Sequence, residues 1–266
     1  MIVVADNLNT RNKSYMAALD AKDSKGIASM AKALAGAHAD VINVQCSLDG
    51  SGDEQRLPWA VEVIQGATGG MLCLDSRNME GLKKTLSVVK KPPLINYISE
   101  TEPRERDECL ALAGRARAYL VLRASRGSIP ISLEGKLQIL EELLEAANRA
   151  DIPNERLFLD PSLVHLGRGA GQDNILNSHE CIRAIKEMVE PPANTIAWIS
   201  NVSTGISSRQ ARKMTEACIL TYLAGAGLDA AMVDVLDPEI SKALYFIKSF
   251  RDEIVFSPAD IPALKS

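Results

Sequence analysis

Aromatic residues make up only 4% of the 266-residue chain. Platforms that stack the bases of a single strand need several exposed rings, so that class of partner is disfavoured. Positive charge is not in excess either. Thirty Lys and Arg stand against 34 Asp and Glu, a formal net charge of −4, whereas a duplex-binding face is normally basic. No nucleic-acid partner is expected. No apolar run reaches the roughly 20 residues of a membrane span. The opening "MIVVADNLNTRNK" lacks the basic region and long apolar core of a secretory signal. The expected setting is cytoplasmic, with no membrane partner. Cysteine is sparse: Cys46, Cys73, Cys109, Cys181 and Cys218 are odd in number and scattered. They form neither a CxxC pair nor a Cys/His zinc spacing, so reduced thiols and no metal site are expected. His38, His165 and His179 lie far apart and read as surface or packing residues.

What the chain does have is alternation. Short apolar runs occur at 2–4, 41–44, 71–74, 93–96, 119–123, 157–159, 195–200 and 228–233. Between them lie segments with apolar residues three and four apart, the spacing of one helix face. Examples are 13–37, "EQRLPWAVEVIQGA", "SLEGKLQILEELLEAANRA" and "SRQARKMTEACILTYLAGA". Eight strand–helix pairs in about 250 residues is the arithmetic of a (β/α)8 TIM barrel, an α/β fold. A doubly wound open sheet normally carries a glycine-rich phosphate turn after its first strand. Here that turn is "ADNLNT", with no glycine. No linker or low-complexity stretch divides the chain, so residues 1–266 are expected to form one domain.

In such a barrel, active sites lie at the C-terminal strand ends. Those ends supply Asp6, Asn9, Asn43, Gln45, Asp75, Ser76, Asn78, Asn96, Arg123, Asp160, Asn201 and Asp234. Asp and Asn are also favoured helix N-caps, and Asp75 in particular is placed to cap the helix starting near Asn78. Capping alone would supply Ser and Thr more often than this set does. The set suits a neutral, polar ligand rich in N–H donors better than a phosphate. The glycine-containing stretch 162–174 matches no phosphate-loop spacing and reads as a mobile rim.

The motifs "LCLDSRN" (72–78), "LIN" (94–96), "LFLDP" (157–161), "ISNVS" (199–203) and "GLDAAMVD" (227–234) carry a resemblance. In order and spacing, the chain resembles the methyltetrahydrofolate:corrinoid methyltransferases of the pterin-binding barrel family. That family includes the folate domain of cobalamin-dependent methionine synthase and, more distantly, dihydropteroate synthase. The resemblance implies methyl transfer between N5 of tetrahydrofolate and the cobalt of a corrinoid carried by a partner protein, in either direction. It implies that Asp75, Asn96 and Asp160 bind the pterin and that Asn201 supplies a hydrogen bond to N5. It also implies a homodimer. Arg209, after Asn201, is a further candidate for the acidic folate tail.

Two departures from the family pattern stand out. The first strand ends Ala5-Asp6-Asn7 where the family has Gly-Glu-Arg, and the second carries Asn43-Val44-Gln45 where it has Asp-x-Asn. These changes keep open an alternative, a corrinoid-dependent methyltransferase acting on a non-folate methyl donor. A scaffold that only docks a corrinoid protein would not need Asn201 opposite the ring acceptors. Dihydropteroate synthase activity is disfavoured, because Ser200-Asn201-Val202 and "VDVLDP" stand where that enzyme has Ser-Arg-Lys and Arg-x-His.

Overall fold

The computed structural model describes residues 1–99, 103–167 and 169–261. Eight parallel strands close into a barrel in sequence order. They are β1 (Ile2–Leu8), β2 (Val41–Gln45), β3 (Met71–Asp75), β4 (Leu94–Ile98), β5 (Tyr119–Arg123), β6 (Leu157–Asp160), β7 (Asn194–Trp198) and β8 (Ala230–Val233). The barrel closes where Ile2–Ala5 of β1 pair with Ala230–Val233 of β8. Around it run α1 (Lys13–Asp20), α2 (Ser24–Gly36), α3 (Asp53–Ala67), α4 (Met79–Val88), α5 (Pro103–Arg115), α6 (Leu133–Arg149), α7 (Gly171–Met188), α8 (Arg209–Gly225) and α9 (Pro238–Phe250). The fold is a (β/α)8 TIM barrel.

Two expected elements are corrected. The helical pattern over 13–37 is two helices, not one. Lys22 takes a left-handed φ of 52°, and the Asp23 carboxylate then caps α2 by accepting the Gly26 N–H at 3.0 Å. The run 195–200 ends as a strand at Trp198, and Ile199–Ser203 form a 3-10 turn. Ile199 and Val202 are both fully buried in the outer core. Their spacing of three suits a 3-10 turn and not a strand of period two.

Period two also explains the barrel interior. Val4, Val41, Cys73, Leu94, Val121, Phe158, Ile196 and Met232 belong to one apolar cluster, separate from the larger core between strands and helices. That plug fills the barrel below its C-terminal mouth. A strand's next residue on the same face is two positions on. The chemistry of the mouth is therefore set by positions 6, 43, 75, 96, 123, 160, 198 and 234.

Candidate active site

Those eight positions hold Asp6, Asn43, Asp75, Asn96, Arg123, Asp160, Trp198 and Asp234. Every one carries a polar or charged group, directly above an apolar layer. Asp75 is the buried carboxylate that also faces the cavity. Its Oδ2 accepts from Gln45 Nε2 at 2.9 Å and from Asn43 Nδ2 at 3.5 Å. The same Asn43 amide reaches Asp6 Oδ1 at 3.3 Å, so it bridges two carboxylates. Asp6 also accepts from Trp198 Nε1 at 2.5 Å, Arg11 Nη2 at 3.0 Å and Asn9 Nδ2 at 3.2 Å.

Burial raises the pKa of all three inner carboxylates, because a low-dielectric site disfavours charge. For Asp75 burial acts first and the nearby charge of Asp6 second. The amides of Asn43, Asn96 and Gln45 pull it back, and the result is about 7. Asp6 is raised by burial, opposed by Arg11, Trp198, Asn9 and Asn43. Asp160 is raised by burial and opposed by Arg123, which lies 3.7 Å away, and by the Ser162 N–H.

A cavity of about 630 Å³ opens above this ring, within the size range of small-ligand sites. Its lining includes Gln45, Asp75, Asn96, Tyr97, Arg123 and Trp198. Among the described residues Asn43 Oδ1 is buried with no hydrogen-bond partner, and Asn96 Nδ2, near enough to Asp75 to lower its pKa, makes no bond of normal length and angle. An unpaired buried polar atom costs about 1–3 kcal/mol. A ligand offering both acceptors and N–H donors here would recover part of that.

The sequence-predicted residues separate into three groups. Asp75, Ser76, Asn96 and Gln45 line the cavity. Asp6, Asn43 and Asp160 lie behind that lining, touching it through Trp198, Asp75 and Arg123 respectively. Asn9, Asn78 and Asp234 serve the scaffold. Asn9 donates to the Asp6 carbonyl at 2.6 Å. Asn78, not Asp75, caps α4, with its Oδ1 accepting the Gly81 N–H at 2.8 Å. Ser76 Oγ, besides facing the cavity, donates to Asp53 at 2.5 Å. Asp234 pairs with Lys213 of α8 at 3.2 Å and accepts from Asn7 at 2.6 Å.

Asn201 sits on the 3-10 turn after β7, partly exposed and not among the described residues lining the cavity, and its side-chain amide has no partner among the described residues. Arg209 is the exposed first residue of α8 and is not among the described residues lining the cavity. The stretch after β6, expected as a mobile rim, is pinned. Pro161–Val164 are buried, and the Leu166 N–H donates to the Val202 carbonyl at 3.0 Å, tying this stretch to the turn that carries Asn201. Its Arg168 lies outside the described residues. His38 is exposed, while His165 and His179 are half-buried and far from any shared cluster; His179 stacks on Tyr222 at 4.4 Å.

Sequence reasoning missed Trp198, Tyr97 and Arg77 as lining residues. Trp198 was signalled by period two from the interior Ile196. Tyr97 carries the guanidinium of Arg123 over its ring at 4.6 Å, and its hydroxyl accepts from Arg77 at 3.2 Å. No local pattern marks that pairing.

The profile of the pterin binding enzyme family matches residues 6–234, the span that runs from the first strand's Asp6 to the end of β8. The chain belongs to the pterin-binding enzymes. Among curated proteins, a methylcorrinoid:tetrahydrofolate methyltransferase from Eubacterium limosum is 27% identical over 248 residues, covering 92% of this chain and 89% of that one. Among solved structures, the dihydropteroate synthase of Xanthomonas albilineans in complex with 7,8-dihydropteroate aligns with a TM-score of 0.70 at 17% identity. It covers 96% of this chain and 94% of that one. A Yersinia pestis dihydropteroate synthase with a pterin–sulfa conjugate aligns with a TM-score of 0.68 at 16% identity, covering 95% and 94%. These structural likenesses support the pterin-binding barrel as a fold. In this member an amide bridges two carboxylates, Asp6–Asn43–Asp75.

Proposed function

We propose that this protein transfers a methyl group between N5 of tetrahydrofolate and the cobalt of a corrinoid carried by a partner protein. The observation that carries the reading is the buried ring at the barrel mouth. There the Asp75 carboxylate stands beside the Asn96 amide on the wall of one cavity. A pterin presents two N–H donors on one edge, which a carboxylate accepts in a fork, and it has ring acceptors that suit an amide N–H. Asp160, held by Arg123, completes the acceptor set. The sequence similarity to a protein named for methylcorrinoid and tetrahydrofolate supports the choice of methyl transfer within the family.

As the methyl departs the C–N electron pair returns to N5, which leaves as a neutral amine only by taking up a proton, supplied from solvent at the mouth, and a hydrogen bond to N5 holds it through that change. Asn201 is the group proposed for that bond. Its amide is neutral, has both donor and acceptor, and is free of protein partners among the described residues. In the reverse direction the same bond orients N5 toward the incoming methyl. The corrinoid supplies the cobalt that gives up or receives the methyl, and the open mouth leaves room for its carrier protein. Each subunit of the proposed homodimer works through its own mouth.

The test is to incubate the protein with a methylated corrinoid protein and tetrahydrofolate, and to measure 5-methyltetrahydrofolate formed and the cobalt absorbance change. Stoichiometric methylation supports the reading. Demethylation of the corrinoid only with an acceptor other than folate would move the assignment to the alternative carrier.

A further inference from the structure

A buried lysine outside the cavity organises the Asp160 side of the site. Lys136, on α6, has no solvent exposure. Among the described residues it pairs directly with no carboxylate. Its ammonium instead donates to two backbone carbonyls, Pro161 O at 2.5 Å and Ser162 O at 3.2 Å. Burying an ammonium is costly, and tying down a loop does not by itself require a charge. The place where the charge is spent is therefore informative.

Ser162 is the hub of the segment it holds. It adopts a left-handed φ of 60°, a conformation that a non-glycine residue keeps only when its surroundings impose it. In that conformation its N–H donates to Asp160 Oδ1 at 2.8 Å. Its hydroxyl accepts from Arg123 Nε at 3.3 Å. Its carbonyl accepts from Lys136 and, at 3.3 Å, from Asn174 Nδ2 of α7. Asn174 in turn accepts the Val164 N–H through Oδ1 at 3.0 Å. Two buried side chains from two helices thus clamp the Ser162 carbonyl, and Lys136 also holds the carbonyl of the preceding Pro161–Ser162 peptide, whose N–H is donated to the Asp160 carboxylate.

We propose that Lys136 and Asn174 are positioning residues for Asp160: by fixing the left-handed turn at Ser162 they orient the Asp160 carboxylate, and with it Arg123, toward the ligand. This rests on the reading above, in which Asp160 accepts a hydrogen bond from a pterin. Neither residue touches the ligand. The positive charge of Lys136 also lies close enough to Asp160 to favour its ionised form.

The test is a double-mutant cycle. Calorimetry with tetrahydrofolate is run on the wild type, Lys136→Met, Asn174→Ala, Asp160→Asn and the Lys136→Met/Asp160→Asn pair, alongside methyl-transfer rates at saturating folate. Losing an oriented hydrogen bond corresponds to about a tenfold change in affinity. Lys136→Met and Asn174→Ala are each expected to raise Kd about tenfold while changing kcat at saturation by less than about threefold. On the Asp160→Asn background, Lys136→Met is expected to add nothing. A purely structural lysine would lower the melting temperature and weaken binding by the same factor on both backgrounds, and that result overturns the proposal. Wild-type Kd in folded Lys136→Met and Asn174→Ala proteins overturns it too. Should Lys136→Met not fold, Asn174→Ala with its own Asp160→Asn pair decides the matter. Wild-type binding by Asp160→Asn alone strikes at the pterin reading itself, and so is told apart from failure of the clamp.

Discussion

Asp75 makes folate binding depend on pH in a way that can be worked out from the site. Burial and the neighbouring Asp6 hold its pKa at about 7 in the free protein. A carboxyl that accepts two N–H groups must be ionised, so below pH 7 ligand binding has to expel a proton. The apparent affinity then falls by one power of ten per pH unit on the acid side and is flat on the alkaline side. At pH 5.5 the penalty is about 2 kcal/mol, or roughly thirtyfold in Kd relative to pH 8. Titration calorimetry with tetrahydrofolate at several pH values gives this curve. Repeating it at pH 6 in buffers of different ionisation enthalpy counts the proton released. Asp6→Asn removes the second-largest cause of the shift, so the break in the curve should move to lower pH. An affinity constant from pH 5.5 to 8, or a break that moves upward in Asp6→Asn, would refute the reasoning.

Three further outcomes are expected. Asp75→Asn should abolish tight folate binding yet raise the melting temperature, and more at pH 8 than at pH 4. The sign follows from linkage: a pKa raised from 3.8 to about 7 on folding means stability is full below the unfolded pKa and is lost as pH rises through 7, a loss the neutral amide avoids. Asp160→Ala should weaken tetrahydrofolate binding at least tenfold by calorimetry, since a charge-assisted contact is worth about 1.5–3 kcal/mol; unchanged affinity in a folded variant would remove Asp160 from the site. Multi-angle light scattering should give the mass of a dimer, and a monomer mass would count against the assembly while leaving the chemistry untouched.

The barrel was legible because its strands are buried on both faces. They read as continuous apolar runs punctuated by amphipathic segments, and five of the eight runs continue by only one to four residues in the folded chain. The polar ring was legible because all but the seventh run lead to Asp, Asn or Arg on the face that continues out of the interior plug. What sequence could not do was divide those residues between ligand and scaffold. Asp75 and Asn78 are three apart and both are good caps. Only the turn geometry gives the cap to Asn78 and frees Asp75 for the cavity. Asp234 occupies a ring position in sequence, but Lys213 of α8 draws it aside, and that depends on how α8 packs. Trp198 was hidden by belonging to an apolar run, although its indole N–H is bound to Asp6 at the cavity wall. Arg209 follows Asn201 closely in the chain yet lies exposed at the start of α8. The Lys136 clamp joins β6, α6 and α7 across gaps of 12 to 26 residues, with no motif at any of its ends.

The central claim is that the mouth of this barrel binds a pterin and that Asn201 assists the reaction at N5. The most direct measurement compares Asn201→Ala with the wild type in methyl transfer between a methylated corrinoid protein and tetrahydrofolate, with folate Kd determined on the same preparations. The account predicts a fall in kcat of roughly one to three powers of ten, with a smaller change in Kd, because the bond to N5 strengthens as the methyl moves. A variant that binds folate poorly but turns over normally at saturation, or one that is normal in both, would contradict it.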